Sequence, residues 1–362
     1  ILIFACVLYQ IRKRTPIRRQ EIIFLLIFFC YSFISSAFSV TGTFIPFISF
    51  LQSLIIVFLL SQLRDINLNN LSWIMIISSV IAVILFAFWF QQNLVALTAE
   101  RLTVDEDASI NRLATMISQL TAIIFGGLLI AGKNKVLKTV LLSMIFIGLI
   151  LIILTGTRTA LISILGSIVV VLFYIFMKYP KKVLIYLPLI FLVSYLSFNQ
   201  INQVDISLFE RFTFDNVSSD GGSGRLHIWK TLIPKTIEDG LFFGFGFGAE
   251  NALSIAKQSA LKYTAHNFMI DMFVQTGISG LILFNTYFFI LGKKLLKSIN
   301  NLNLIIPIMI LLTGIINGIG ETVFLEKFFW NGIALAWLYI NNLDGQTNTF
   351  KQKKIKFVNE QI

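Results

Sequence analysis

Charge is what this sequence has least of. Only 13% of its 362 residues are charged against 56% hydrophobic, with a mean hydropathy of +0.83. An ordinary soluble domain carries about 25% charged residues, so a soluble globular fold is excluded. Cysteine is nearly missing too: Cys6 and Cys30 both lie inside apolar runs, which rules out a disulfide framework. Histidine is as scarce, with His227 and His266 the two in the chain. No strand-like alternation of apolar and polar residues is present, which argues against an outer-membrane barrel. The glycines of L-F-F-G-F-G-F-G, 241–248, follow no soluble strand and precede no Lys, so they are not a nucleotide loop.

What is present are long apolar runs. Ten of them, near 21–38, 44–63, 71–90, 113–131, 139–155, 160–177, 183–198, 267–291, 303–319 and 328–341, are long enough to cross a ~30 Å hydrocarbon core as helix. The chain opens on Ile, and 1–11 reads as the tail of an eleventh helix with its start missing. The expectation is an all-α polytopic membrane protein of about 11 transmembrane helices, the first truncated. It divides into an N-terminal bundle (1–198), a loop (199–266), C-terminal helices (267–341) and a basic tail (342–362).

Counting loops alternately puts 19 of the 29 basic residues on one side, where the balance is +15, and leaves −4 on the other. The positive side is cytoplasmic. Basic turns such as R-K-R-T-P-I-R-R and G-K-N-K then explain the net charge of +11 as topology and contact with anionic lipid, with no call for nucleic acid.

The 199–266 connection is extracytoplasmic and far longer than a turn needs, which points to function. Within it D-G-G-S-G is a flexible breaker. R-L-H-I-W-K-T-L-I-P-K-T-I-E-D then reads as an amphipathic helix with Ile228, Leu232 and Ile233 on its apolar side and Trp229 suited to an interface. The glycine stretch reads as a tight re-entrant turn whose Phe243, Phe245 and Phe247 grip the membrane surface, and 249–263 as a second helical segment.

T-G-T-R-T-A, 155–160, joins two apolar runs with almost no loop and pins Arg158 at the outer membrane edge. A cation buried near mid-membrane costs ~2.5–3.5 kcal/mol on insertion scales, and an arginine fork matches phosphate. Arg225, displayed by the breaker, is a second such candidate and Arg211 a third. Asp105, Glu106 and Asp107 could hold a divalent ion, but three adjacent acids read first as a solvated turn, and no metal is expected. His266, in A-H-N-F, stands where the polar loop meets an apolar run.

In this order, T-G-T-R-T-A, G-R-L-H-I-W-K, G-L-F-F-G-F-G-F-G and A-H-N-F-M-I-D-M-F-V-Q-T-G-I-S-G-L resemble the O-antigen ligase and Wzy-type polysaccharide polymerase superfamily over about 149–284. The resemblance implies a GT-C-like, metal-independent glycosyltransferase of the bacterial inner membrane that needs no cofactor. It implies undecaprenyl-diphosphate-linked oligosaccharide as donor and acceptor, and chain-length regulator and flippase proteins as partners. Carried over, the motif arginines are Arg158 and Arg225 and the catalytic base is His266, with Asn267 and Trp229 as neighbouring contacts. His227 competes for the role of base. The products would be O-antigen, capsule or exopolysaccharide. A ligase acting on lipid core, wall polymer or protein is the alternative, and a lipid-linked-sugar flippase the reading from another class. A transporter should gather its special residues near the midplane in paired halves, whereas here they collect at one face.

Overall fold

The computed structural model describes residues 19–37, 45–64, 66–99, 110–178, 225–246, 265–298, 301–320 and 329–343. Among them every regular element is helical: α1 (Arg19–Ala37), α2 (Ile45–Gln62), α3 (Leu68–Ala99), α4 (Ile110–Ile130), α5 (Lys135–Leu154), α6 (Arg158–Lys178), α7 (Arg225–Asp239), α8 (Phe268–Ser298), α9 (Ile305–Gly318, after a 3₁₀ turn at Leu302–Leu304) and α10 (329–343). Five helices are long and apolar enough to cross a membrane: Leu68–Gln92, Ile110–Ile130, Lys135–Leu154, Arg158–Met177 and Phe268–Ser298. Among the described residues the fold is thus all-helical, with several candidate spans, as in a multi-pass membrane protein. The runs expected at 1–11 and 183–198, the segment 249–263 and the basic tail beyond 343 lie outside the described residues, as do Arg211 and the 105–107 acids.

Two helices outrun the apolar runs that announced them. α3 has 32 residues, about 48 Å at 1.5 Å per residue, because Q-Q-N after Phe90 breaks hydropathy but not helix. α8 has 31 residues and is interrupted at Gly277.

One compact unit comprises Ile1–Ser72, Lys230–Leu311 and Thr322–Ile362. Its core is aromatic. Phe28 packs on Phe50 (ring centroids 5.6 Å apart), Phe50 on Trp330 (5.2 Å) and Phe268 on Phe329 (5.9 Å), all nearly inaccessible. Where such a core must carry polar atoms it pairs them: Trp337 Nε1 donates to Tyr287 Oη at 2.6 Å. Asn342 accepts from Ile66 N–H (3.0 Å) and donates to Leu63 O (2.9 Å), tying α10 to the turn between α2 and α3.

The other unit comprises Trp73–Trp229 and Leu312–Glu321. Its central element is α4, buried from Ala114 to Leu128 along most of its length. Without a hydrophobic drive between helices in lipid, close approach relies on small residues. Gly127 faces Ile76 of α3, Gly148 of α5 faces Thr121 of α4, and Gly166 of α6 faces Ile316 of α9.

Candidate functional site

At the start of α8 the chain turns from loop into helix over three residues. Asn267 is the cap: its Oδ1 accepts from Met269 N–H (3.0 Å) and Ile270 N–H (3.2 Å), and its carbonyl accepts the first helical bond from Asp271 N–H (2.8 Å). His266 precedes it with φ of +48°. That left-handed conformation is costly for a residue with a Cβ, of order 1–3 kcal/mol, and persists only where its surroundings over-determine it.

Part of that over-determination comes from Asp271. Its side chain is 1% exposed, yet it sits in the first turn of an apolar helix. Oδ1 accepts from Ala265 N–H at 3.2 Å, fastening the residue just before His266. The helix N-terminus favours a negative charge there. Phe268, 3% exposed, anchors the same turn in the aromatic core, while His266 is half-buried with Nδ1 facing inward.

Ten residues on, Gly277 breaks α8 with φ of +64° and ψ of −171°. The carbonyls freed by the break are taken up by the turn that follows α7. Phe245 N–H donates to Val274 O (2.9 Å) and Gly246 N–H to Gln275 O (3.0 Å), while Ile278 N–H donates to Leu241 O (2.8 Å). Two hydroxyls from α1 complete the knot. Tyr31 Oη lies 2.5 Å from Thr276 O and 2.6 Å from Phe242 O, and Ser35 Oγ lies 2.9 Å from Gln275 O and 2.7 Å from Phe243 O. Glycine is needed on both sides of this contact, since a Cβ at Gly244 would strike the backbone of Gln275 and one at Gly277 the backbone of Phe242.

The tight turn expected from the glycines is therefore present in 241–246, but its aromatics divide. Phe243 is 47% exposed and stacks on Tyr31, whereas Phe245 is 7% exposed and points inward rather than gripping a surface. The reason is the alternation imposed by pairing with α8. Phe247 lies outside the described residues. α7 does bury Ile228 and Leu232, with Thr236 extending the stripe at the same spacing of four; Ile233 is half-buried. Near its C-terminal end Asp239 pairs with Lys235 at 2.5 Å and holds that ammonium above its ordinary range.

In the second unit the T-G-T-R-T turn is built by its own hydroxyls. Thr155 Oγ1 donates to Ile152 O (2.6 Å) and accepts from Thr157 N–H (3.3 Å), and Gly156 takes φ of +66° to reverse the chain. Thr157 Oγ1 then donates to Asn111 Oδ1 (3.2 Å) on α4. Thr115 Oγ1 donates to Asn111 O at 2.9 Å, so its single proton is spent and it accepts from Asn317 Nδ2 on α9. Three helices are thus linked at one end of the unit. Arg158 is the first residue of α6, where its charge adds to the positive end of the helix dipole. That combination is unfavourable by itself and favours an anion.

Of the residues singled out in the sequence, His266 and Asn267 stand together in the first unit, while Arg158, Arg225 and Trp229 belong to the second. Arg225 opens α7 and Trp229, half-buried, lies one turn on. His227 is also on α7. Sequence reasoning missed Asp271, Asn111 and Asn317, and it missed Arg112, which is exposed beside Asn111 at the start of α4. Asp271 could have been found as a lone acid inside an apolar run; the others look like ordinary helix-end residues.

Residues 143–285 match the family model described as O-Antigen ligase. The match encloses Arg158, Arg225, His266 and the knot at Gly277. No curated protein matches the chain.

Proposed function

We propose, on the premise that its 143–285 segment makes this chain a member of the O-antigen ligase and Wzy-type family, that it is a polymerase of lipid-linked oligosaccharide repeat units. In this reading it has a GT-C-like fold of about 11 spans in the bacterial inner membrane and works at the extracytoplasmic face. The donor is glycan on undecaprenyl diphosphate and the acceptor a sugar hydroxyl of the next unit. The observation that carries the reading is His266, a histidine held in strained backbone where a helix enters the membrane.

The reaction asks little of the protein at the leaving group, because a diphosphate is stable once released. The acceptor oxygen attacks the anomeric carbon, the bond from that carbon to the diphosphate oxygen breaks, and the diphosphate keeps the electron pair. Arg158 at a helix N-terminus, together with Arg225, supplies cations for that charge. The acceptor hydroxyl loses its proton to the His266 imidazole, the side chain that most often serves as a general base. In this scheme Nε2 is the nitrogen that takes the proton, Nδ1 being buried. No metal has a role in this scheme.

The description of the matching family favours a second reading, a ligase that hands finished glycan to another acceptor such as lipid core, wall polymer or protein. Lipid and polymer profiles of a strain lacking the protein separate the two. Accumulated single repeat units are the polymerase outcome and accumulated lipid-linked long chains the ligase outcome. A normal profile would remove both.

A further inference from the structure

The closing turns of α8 sort their side chains by face. Tyr287, Leu291 and Leu295, at the i, i+4, i+8 spacing of one face, are buried against the protein. Phe289 (72% exposed), Lys293 and Lys297, at the same spacing, form an outward stripe, with Ile290 and Leu296 exposed beside them. Along that stripe the chemistry changes once, from apolar at Phe289 to basic at Lys293 and Lys297. In a helix long and apolar enough to span, such a change marks where hydrocarbon gives way to headgroups.

The three lysines of this end are not equivalent. Lys294 turns inward, its Nζ 4.4 Å from the ring centre of buried Trp337 on α10, a cation–π contact that engages its charge within the protein. Lys293 and Lys297 are exposed, and among the described residues no carboxylate pairs with either. One turn apart on a helix, their Cβ atoms stand about 5–6 Å from each other, so two flexible ammonium groups can meet on one phosphate. The space a Cβ would take at Gly292, beside Lys293, is free of protein atoms. The negative end of the helix dipole accounts for cations at this terminus. It does not account for two of them lining up, away from the protein, with exposed Phe289.

The complement of this stripe is a molecule with hydrocarbon at one end and a single net negative phosphate at the other. Soluble phosphate lacks the hydrocarbon, and a zwitterionic phospholipid offsets its phosphate with its own ammonium. We infer that Lys293 and Lys297 hold the phosphate of one anionic phospholipid, a diester of the phosphatidylglycerol kind, whose acyl chain lies along Phe289 and Ile290. The lipid tethers the end of α8 opposite His266. The site goes beyond the transferase reading and stands or falls without it.

Native mass spectrometry of the full chain, released from detergent with added lipid, tests the assignment. Phosphatidylglycerol should stay bound at one molecule per chain under conditions that strip phosphatidylcholine of the same chain length. Lys293→Gln and Lys297→Gln should each weaken phosphatidylglycerol binding about fivefold, the effect of one lysine at an anionic lipid surface. Lys133→Gln combined with Lys135→Gln removes two exposed cations at the start of α5 and should leave that binding unchanged. Excess inorganic phosphate should not displace the lipid. Equal retention of phosphatidylcholine, or an equal loss in the Lys133 and Lys135 double variant, would reduce the stripe to diffuse charge attraction and overturn the site. Displacement by inorganic phosphate would make it a soluble-anion site and overturn the lipid assignment. The comparison of lipids uses the unaltered chain, so it decides the matter even where a lysine variant folds poorly.

Discussion

His266 and Asp271 make the residue-scale argument, because one carries the proposed chemistry and the other holds its backbone. His266→Ala should leave the protein inserted and able to bind donor while turnover per folded molecule falls by ~10²–10⁴, the usual contribution of a general base. His227→Ala is the matched control; a dead His227 variant beside an active His266 variant would transfer the role of base to α7. Asp271 acts through Ala265 N–H, and an amide oxygen can accept that bond as a carboxylate does. Asp271→Asn should therefore keep turnover within a few fold, whereas Asp271→Leu, leaving a buried N–H unsatisfied at about 1–3 kcal/mol, should lower both folded yield and turnover. An inactive Asn variant at normal abundance would show that the charge itself is needed. His266 and Arg158 were legible in the sequence because polar groups stand out against so apolar a chain. Asp271 was not, since five residues past the loop it looks like part of the membrane boundary, and only its burial sets it apart.

At the scale of elements, the knot between the α7 turn and broken α8 decides where the His266-bearing half-helix sits. Its energetics lie in backbone pairing at close range, so the glycines should be far less replaceable than the hydroxyls. Gly277→Ala and Gly244→Ala each force a Cβ into opposing backbone at positive φ, about 1–3 kcal/mol for the conformation alone before any clash. Both should melt well below the parent protein in detergent or fail to fold. Tyr31→Phe removes one shared hydrogen bond, net ~1 kcal/mol, and should lower the melting temperature only slightly. Equal tolerance of all three changes would mean that the turn is not docked on α8. The glycine-rich turn was foreseeable from G-F-G-F-G, but its partner was not. A lone glycine inside an apolar helix usually costs a little stability without breaking it, and the break at Gly277 exists because groups far away in sequence satisfy the freed carbonyls. The reach of α3 to Ala99 escaped for a related reason: hydropathy reports where the hydrocarbon ends, not where the helix does.

For the molecule as a whole, the decisive quantity is which face meets the cytoplasm, because the proposed transfer between lipid-linked substrates would take place on the other. The 19 basic residues placed on one side fix the expectation, and the structure supplies positions at which to check it. Gly132, with φ of +59° and open space where a Cβ would stand, turns the chain between α4 and α5, and Lys133 beside it is exposed. Glu238, exposed on α7, belongs to the long loop assigned to the opposite face. In a chain freed of Cys6 and Cys30, a membrane-impermeant thiol reagent should label Glu238→Cys in intact cells and Lys133→Cys only in inverted vesicles. The reverse pattern would put the 199–266 loop in the cytoplasm. Arg158 and His266, assigned with that loop to the same face, would then meet no externalised glycan, and a transferase acting outside the cell would be untenable whatever the variants at His266 showed.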